Sequence, residues 1–583
     1  MSPACVHRLG HLPRRPSGLL PALTLAAAAL LAACGGGGSG APPAAAPAAV
    51  PSPSAGQVAP PAAAQQLTFY AASRLADQAS FGATPALVAE IRAKGAERWI
   101  DEQFALPLQP MDVTPAWAVL PFPDLAPIPQ EISMYPTIEF SRMALTAADQ
   151  LRLRVTWALS QFIVAAYDGN APQAGVAWIN VLYGNSFGNY RQLLLDTSTN
   201  RLMGNYLNND QNRPKSAECQ HCAPNENFAR ELMQLFSIGV VKLNPDGTVQ
   251  RDGRGRAQET YTQRDVEEMA RVLTGWTQDP NPPDRPRRDG ANWTRPMVPS
   301  TFRHERDSGA KQVLGRSFRA GQSTRKDLED AIDLLMNHPN IAPFVATRLI
   351  QHLVKSDPTP AYVGRVAAKF INNGSGVRGD MKAVLKAVLL DTEARAADNP
   401  TSARGDEGKI REPYLHRTAL WRGLGCTRFP LASWGGLLMP QAQTPLLPRS
   451  VFSFYAPTDR APGSNILAPE QKLMINAELQ ERLSQQEAGR KWIASSGTHD
   501  YSEYRSAGCK LDELATLFSR GPAPFIDALS ERHFRGAMPP TLRSNLEQLM
   551  RLQNPPWNRN DPLEGTLRLL GFALSTPYYG AKR

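Results

Sequence analysis

Polar side chains on one amphipathic segment, residues 225–238, are the first candidates for chemistry. A helix turns about 100° per residue, which puts the Phe and Leu side chains of this segment on one face, towards a core. Glu226 and Arg230 lie on the opposite face at i,i+4 spacing and, with Asn227, are candidate ligand-binding residues. Asn227 and Glu231 lie at the edge of the apolar face, where partial desolvation raises a carboxyl pKa towards the range of general acid–base catalysis. The alternative is a structural Glu231, paired with an arginine or accepting a hydrogen bond from a neighbouring helix.

A second predicted helix, residues 341–355, is apolar over more than half of its circumference. Arg348 and His352 are neighbours on its remaining polar strip, because they are spaced i,i+4. Polar groups on a buried helix must find partners or line a wet cleft. His338 lies at a junction between two predicted helices, where its imidazole could bind a ligand in the same cleft. Glu231, His352 and Arg348 are therefore the candidate catalytic residues, each with a structural role as the alternative.

Standard catalytic patterns are absent from the sequence, which has no HExxH, P-loop, nucleophile elbow or Rossmann glycine pattern. Histidines could meet Glu231 around a metal, but their spacing does not demand it, so we predict no metal site. These histidines are His304, His338, His352 and His416. Aromatic stacking on sugars is open to three tryptophans, with core packing as the favoured alternative for each. They are Trp276, which we keep as a candidate binding residue, Trp421 and Trp434.

The first 66 residues have the pattern of a lipoprotein leader. Residues 1–33 carry three arginines and no acid, followed by an apolar run that ends in small residues before Cys34, which is typical of a signal peptide with a lipobox. The alternative is an ordinary secretory signal in which Cys34 is incidental. Residues 34–66 are rich in Gly, Ala, Pro and Ser and predict a flexible tether for a lipid-anchored body. Gly35 after the cysteine favours the outer membrane.

The rest of the chain, residues 67–583, is expected to fold as a helical body outside the cytoplasm. The formal charge of +10 falls to +7 without the leader arginines, a modest excess that favours anionic lipid head groups or acidic glycans over nucleic acid. A body of this length exceeds what one hydrophobic core usually serves, so two or more subdomains are expected.

Four of the six cysteines remain once Cys5 is removed with the signal peptide and Cys34 is assigned to lipid: Cys219, Cys222, Cys426 and Cys509. An even number in an exported protein favours disulfides, and four cysteines allow three pairings. Cys219 and Cys222 form a CxxC pair that could instead be half of a redox or metal site, but a second CxxC is missing from the sequence. We predict structural disulfides, local or crossed, with free thiols and redox or metal roles as alternatives.

Helical signals dominate the body, so the predicted fold class is all-α with a minor β-hairpin at residues 240–249. Capping residues mark several helix starts, among them Thr84 before Pro85, Asn225, and Thr262 with Asp265. Irregular stretches are predicted over residues 107–136, 277–322 and 425–468. The predicted helices cover residues 68–80, 85–94, 149–166, 187–195, 225–238, 262–274, 325–337, 341–355, 361–371, 379–391, 413–424, 470–494, 509–518, 523–530, 540–552 and 564–574.

Several motifs, in order along the chain, resemble those of the bacterial domain-of-unknown-function 1800 (DUF1800) family. The most distinctive is NENFARELM at residues 225–233, and others are LTGW at 273–276, HPN at 338–340, REP at 411–413 and APE at 468–470. The resemblance covers about residues 68–582. It implies an exported bacterial protein without a fixed cofactor, often encoded beside an exported sulfatase- or phosphatase-like partner, and the family has no established activity.

Two functions from different classes fit these observations. The first, which we favour, is a non-enzymatic envelope lipoprotein that binds or scaffolds a partner protein or a polymer such as glycan. The second is a hydrolase-type enzyme that uses Glu231 and His352 as acid and base and Arg348 to stabilise an anion.

We expect a Cys34→Ser variant of the full chain, expressed in a bacterium with two membranes, to leave the membrane fraction, because the acyl chains on Cys34 supply the anchor. Cell fractionation with immunoblotting measures the distribution. Cys5→Ser, within the same leader, is the control that should stay with the membranes. Unchanged fractionation of Cys34→Ser would refute lipidation.

Overall fold

The computed structural model describes residues 66–117, 130–167, 171–281, 292–401, 407–428, 443–474, 507–555, 557 and 560–582. The signal peptide, Cys34, nearly all of the tether and Trp434 lie outside these residues, as does most of the predicted helix 470–494. Within the described ranges, no helix is both long enough and apolar enough to span a membrane.

The described body consists mainly of helices, together with three short antiparallel strand pairs. The helices are α1 Phe69–Ala79, α2 Pro85–Lys94, α3 Ala96–Ala105, α4 Thr114–Trp117, α5 Gln130–Ser133, α6 Tyr135–Thr146, α7 Gln150–Ser160, α8 Pro172–Asn185, α9 Tyr190–Thr199, α10 Arg201–Tyr206, α11 Glu226–Gln234, α12 Gln263–Val272, α13 Thr324–Asn337, α14 Ile341–Leu353, α15 Pro360–Ile371, α16 Met381–Leu390, α17 Thr392–Arg395, α18 Pro413–Gly423, α19 Leu511–Ser519, α20 Pro522–His533, α21 Pro540–Arg551, α22 Pro562–Leu574 and α23 Pro577–Gly580. The strands are β1 Trp276–Thr277, β2 Val298–Pro299, β3 Lys311–Val313, β4 Arg316–Phe318, β5 Lys409–Ile410 and β6 Ala581–Lys582, paired β1 with β2, β3 with β4 and β5 with β6. The predicted all-α class with minor β structure is confirmed.

Helix starts follow the predicted capping chemistry. The Thr84 side chain accepts a hydrogen bond from the Leu87 backbone N–H, and Pro85 occupies the first turn of α2. Thr262 and Asp265 form a reciprocal capping box at the start of α12. Each cap satisfies backbone donors that the first turn of a helix leaves without partners.

Helix α8 shows why some helices escaped prediction. The sequence pattern did not indicate α3, α6, α8 or α10. Nine of the 14 residues of α8 are buried and only Gly184 is exposed, and its mostly apolar sequence lacks the polar stripe that reveals an amphipathic helix. Gly175 within α8 also lowers helix propensity, but a Cβ there would lie 2.9 Å from Pro136 Cγ, so glycine permits the close packing of α8 on α6.

Some predicted boundaries were wrong. The segment predicted as one helix over 149–166 is helical only to Ser160, and the one predicted over 225–238 ends at Gln234 in a turn. The stretch 277–322, predicted as loop, contains strands β2 to β4. Strands β3 and β4 form a hairpin closed by the two-residue turn Leu314–Gly315, in which both residues have positive φ, and leucine at the first of these positions gives no turn signal in the sequence.

Apolar side chains pack into three clusters of different origin along the chain. The largest joins the helices from α1 to α16, with Trp99, Trp178 and Trp276 among its buried residues. A second joins α18 to the C-terminal helices α19 to α22 around Trp421. The third surrounds Trp157 on α7. Burial of these indoles makes core packing the role of Trp276 and Trp421, which are 1% and 6% exposed.

Two disulfides connect the four cysteines of the body, which confirms the predicted oxidised state. One joins Cys219 to Cys222 across three positions, and the other joins Cys426 to Cys509 across 83. In the chain-entropy model the short loop contributes roughly 2 kcal/mol and the long one roughly 4.5 kcal/mol. The long disulfide links the end of α18 to the start of α19, and its Cys426 is buried in the second cluster. It is therefore the disulfide that contributes more to the stability of the fold.

Asn340 fastens the predicted hairpin to the start of α14. Its buried Nδ2 donates to the backbone carbonyls of Ile238 and Val241 at 2.9 and 2.7 Å, and its Oδ1 accepts from the Leu243 N–H at 2.9 Å. An antiparallel bridge then joins Leu243 to Val249. The HPN motif thus supplies a side chain that completes the hydrogen bonding of a chain turn, a structural use.

We expect Asn340→Ala to lower the free energy of unfolding by about 2–4 kcal/mol, because three buried backbone groups lose this partner. Urea unfolding followed by circular dichroism measures the change. Asn337→Ala is the matched control: Asn337 is exposed and bonds only the Asp333 carbonyl, so its loss should change stability by about 0.5 kcal/mol or less. Equal effects from the two variants would contradict the anchoring role.

Candidate functional site

Helix α11 positions the first set of candidate residues. Asn225 precedes it as the N-cap and accepts a hydrogen bond from the Asn227 backbone N–H at 3.0 Å. The helix buries Phe228 and Leu232 in the largest core cluster. That orientation leaves Glu231 at the margin of the buried face, 9% exposed, as the spacing predicts.

The carboxyl group of Glu231 is buried, and one of its two oxygens lacks a hydrogen-bond partner among the described residues. Its Oε2 atom is inaccessible to solvent and has no hydrogen-bond partner among the described residues. Burial raises the pKa of Glu231, and the neighbouring Arg230 opposes this only partly. An unpaired buried oxygen costs about 1–3 kcal/mol, so it calls for an explanation in a folded protein.

Two half-buried tyrosines, Tyr206 and Tyr261, lie within electrostatic range of this carboxyl. Burial raises the pKa of Tyr206, and the charge of Glu231 acts in the same direction. Burial also raises the pKa of Tyr261 to about 12, with Glu231 adding to the rise and Arg230 opposing it. Both tyrosines pack against the largest core cluster while keeping part of the side chain exposed. We call the set Glu231, Tyr206, Tyr261, Arg230 and Asn227 the Glu231 site.

The rim of the Glu231 site is a network of charged and amide side chains. Arg230 Nη2 donates to Glu226 Oε2 at 2.8 Å and to Gln263 Oε1 at 3.1 Å, while Gln263 Nε2 donates to Glu226 Oε2 at 2.9 Å. Asn227 Nδ2 donates to Asn208 Oδ1 at 2.9 Å. The predicted binding residues Glu226 and Arg230 thus bond each other and link α11 to α12.

His352 lies in different surroundings. It is 4% exposed on α14, and its ring stacks on Phe162 with centroids 6.0 Å apart. Burial lowers the pKa of His352 to about 3, with Lys409 and Arg154 acting in the same direction. The imidazole is therefore neutral near pH 7 and enclosed by protein, which removes it from reach of a ligand in solvent.

A buried polar cluster encloses His352, and sequence reasoning missed most of its members. They are Arg154 on α7, Lys409 on β5, and Glu412, Tyr455 and Glu470. Lys409 Nζ donates to Glu412 Oε1 at 2.7 Å, and Arg154 Nη2 donates to the His352 carbonyl. Although burial opposes it, the cations Lys409 and Arg154 lower the pKa of Glu412 to about 2. The motifs REP and APE in the sequence do contain two members of the cluster, Glu412 and Glu470, each next to a proline.

Arg348 is half-buried at the margin of this cluster. Its guanidinium lies over the Phe344 ring, 4.9 Å from the centroid, and Nη1 donates to Gln351 Oε1 at 2.8 Å. Burial lowers the pKa of Arg348 to about 10, so it stays charged at neutral pH. Its charge acts on His352, which places the two near each other as their spacing predicts.

The three candidate catalytic residues do not share a set of contacts. Arg230, Tyr206 and Tyr261 act electrostatically with Glu231, whereas Lys409, Glu412, Arg154 and Arg348 act on His352. Among the described residues, no hydrogen bond or ion pair joins Glu231 to Arg348 or His352. Direct contacts among the described residues thus do not join Glu231 to Arg348 and His352, and a catalytic role shared by the three stays a prediction.

His338 and the other histidines have structural neighbours. His338 ends α13, and its Nδ1 accepts from the Asn340 N–H at 3.1 Å; burial lowers its pKa. His304 lies beside Phe302, and His416 packs on Tyr579. Over the described ranges, no three His, Cys, Asp or Glu side chains are grouped to hold a metal ion.

A groove of about 820 Å³ opens elsewhere, beside α1 and α20. Its polar lining includes Arg535, Arg543 and Asp398. Arg535 pairs with Asp77, Arg543 with Asp527 and Asp398 with Arg74. Because these charges already neutralise one another, the groove offers a weaker case for a ligand than the unpaired Glu231 carboxyl.

Comparison with known proteins yields one match. A family model described as "Protein of unknown function (DUF1800)" matches residues 74–580. No curated protein matches the chain, and no solved structure does.

Glu231→Gln tests the burial of this carboxyl. A raised pKa means that the folded state keeps a proton that the unfolded state loses above roughly pH 4.3, so wild-type stability falls as pH rises through that window. Glutamine does not ionise, so the stability of the variant relative to wild type should increase as pH rises above roughly 4.3, at up to about 1.4 kcal/mol per pH unit, and level off once the raised pKa of the folded carboxyl is passed. Urea unfolding at several pH values measures the difference. Glu259→Gln, at an exposed position, should show none, and a pH-independent difference for Glu231→Gln would contradict the assignment.

Proposed function

The chain belongs to the DUF1800 family of proteins of unknown function, and on that premise we propose that it is a lipid-anchored envelope protein whose helical body binds a glycan at the Glu231 site. The predicted signal peptide, the lipobox at Cys34 and the tether support an anchored location. A tether lets the binding face reach a polymer beyond the membrane surface.

The observation that carries the proposal is the unpartnered Oε2 of Glu231, in a residue that is 9% exposed and within electrostatic range of two half-buried tyrosines. Oε2 is closed to solvent, so a ligand donor that moves aside the side chains at this margin would satisfy the oxygen and recover the cost of its burial. Three residues of the site, Asn227, Arg230 and Glu231, lie within the family's most distinctive motif, NENFARELM, so this motif carries both the resemblance and the unsatisfied group.

The chemistry of the Glu231 site suits hydroxyl groups. A sugar hydroxyl can donate to the Glu231 carboxyl and accept from a tyrosine phenol in the same place. Tyr206 and Tyr261 also offer apolar ring surface for the C–H faces of a sugar. The charge of Arg230 is already shared with Glu226, which favours an uncharged ligand segment over an anion.

Acid catalysis at Glu231 is the second candidate function. Its raised pKa favours it, because a carboxyl that keeps its proton to a higher pH than a free glutamate can donate that proton to a leaving oxygen. The enclosed His352 does not serve as the second catalytic group in this version. The exported sulfatase- or phosphatase-like partner implied by the family remains a prediction alongside both candidates.

Three variants distinguish binding from catalysis. Glu231→Leu, which removes the hydrogen-bonding group, should weaken co-sedimentation with purified insoluble cell-wall glycan by about tenfold or more. Glu231→Gln keeps that group and loses the acid, so it should bind within about threefold of wild type. The exposed control Glu259→Gln should bind as wild type does.

The release of reducing ends is measured in the same samples. Release by wild type that disappears in Glu231→Gln would support the hydrolase. Circular dichroism establishes that each variant is folded. Wild type that fails to sediment with the glycan, or a folded Glu231→Leu that sediments like wild type, would overturn the binding proposal.

A further inference from the structure

We propose that Cys219–Cys222 is an exchangeable disulfide, a site at which the protein undergoes reversible thiol–disulfide exchange with a thiolate reductant. Both cysteines are partly exposed, and Gln220 and His221 between them are exposed. A thiolate must reach a sulfur atom in line to attack it, so access decides which disulfides exchange. In the same chain, Cys426 is 3% exposed within the C-terminal core cluster and only its partner Cys509 is partly exposed, so the long disulfide presents one cysteine to a reductant where the short one presents two.

The short disulfide contributes little to the stability of the folded chain. It closes a loop across three positions, whereas Cys426–Cys509 closes one across 83, and the constraint on the unfolded chain grows with loop length. A bond that contributes little to folding and lies at the surface fits a chemical use better than a structural one.

Hydrogen bonds hold the turn itself without the sulfur bridge. The Ser216 N–H donates to the Cys219 carbonyl, and the Cys219 N–H donates to Ser216 Oγ, both at 3.1 Å. Beyond the turn, the Asn225 N–H donates to Asn212 Oδ1 at 2.8 Å, which fixes the entry into α11. The reduced loop can therefore keep its position, so reduction does not require unfolding.

Arg213, in the same loop, forms an ion pair with Glu305, with 3.1 Å between Nη1 and Oε1. This ion pair links the loop to the short 3₁₀ helix Arg303–Glu305. This contact and the N-cap at Asn225 lie on either side of the CxxC pair. Opening the disulfide thus changes two sulfur atoms at the surface and leaves the α11 helix, with Glu231, in place.

The exchange balances with two thiols from the reductant. A reductant thiolate attacks one sulfur of Cys219–Cys222, the S–S bond breaks, and the other cysteine leaves as a thiolate that takes up a proton. The second reductant thiolate attacks the mixed disulfide, so the protein gains two electrons and two protons while the reductant becomes a disulfide. The exposed His221 is adjacent to Cys222 in the chain, where its imidazole N–H can donate a hydrogen bond to the thiolate that leaves.

Native-state reduction of the mature chain tests the proposal, with Cys426–Cys509 as the internal control. Dithiothreitol treatment without denaturant, acid quenching, differential alkylation and peptide mass spectrometry follow each disulfide separately. We expect Cys219–Cys222 to be reduced at least 100-fold faster than Cys426–Cys509, and to re-form in oxidised glutathione. His221→Ala should slow its reduction severalfold.

A Cys222→Ser variant provides the second measurement. Its remaining Cys219 should form a stable mixed disulfide with glutathione, seen as a mass increase on the native protein. Reduction of both disulfides at one rate, or only on unfolding, would overturn the proposal, as would a Cys219 that takes up no glutathione while the variant is folded. Retained glycan binding by the reduced wild type would show that exchange and the Glu231 site are independent.

Discussion

The carboxylate of Asp77 is the interaction on which the arrangement of the described body most depends. It is 4% exposed on α1 and accepts hydrogen bonds from Arg411 and Arg535, which are 334 and 458 positions away in sequence. Its other oxygen accepts from the Ala83 N–H at 3.3 Å. Removal of one partner of a buried ion pair leaves an uncompensated charge, at a cost of about 3–5 kcal/mol. One carboxylate therefore holds the N-terminal helix, the 409–412 segment and the end of α20 in fixed relation.

The same 409–412 segment explains why His352 is enclosed. Arg411 reaches Asp77, and its backbone N–H donates to the Gly580 carbonyl, where β5 pairs with β6. Lys409 and Glu412, on either side of it, form the ion pair beside His352. Because Asp77 fixes Arg411 in the interior, the charged side chains of Lys409 and Glu412, close to Arg411 in the chain, are buried as well. A histidine among them stays neutral because protonation would add a third cation to a dry cluster.

Local chemistry was predictable from the sequence, and long-range charge pairing was not. The cap at Thr84 and the marginal position of Glu231 follow from side-chain type and helical period, and the structure has both. The enclosure of His352 depends on Arg154 and Glu412, which lie far from it in sequence and carry no periodic signal. The sequence does show Arg154 within an apolar helical segment, where a charge on a buried face requires a partner. Without the fold, nothing in the sequence identified that partner.

Glu231 and His352 invite comparison because both are buried and both have an unpartnered polar atom, Oε2 in one and Nδ1 in the other. An imidazole can discard its charge by losing a proton, and the surrounding cations favour that outcome, although the neutral ring still leaves Nδ1 without a partner. A carboxyl group sheds its charge only by taking up a proton, which its raised pKa makes easier but which still leaves an O–H group in need of an acceptor. Both residues therefore keep an unmet hydrogen-bonding requirement, and their surroundings distinguish them. His352 is enclosed by buried charged side chains, whereas Glu231 lies at the margin of the buried face of α11, near the exposed Asn227 and the half-buried Arg230.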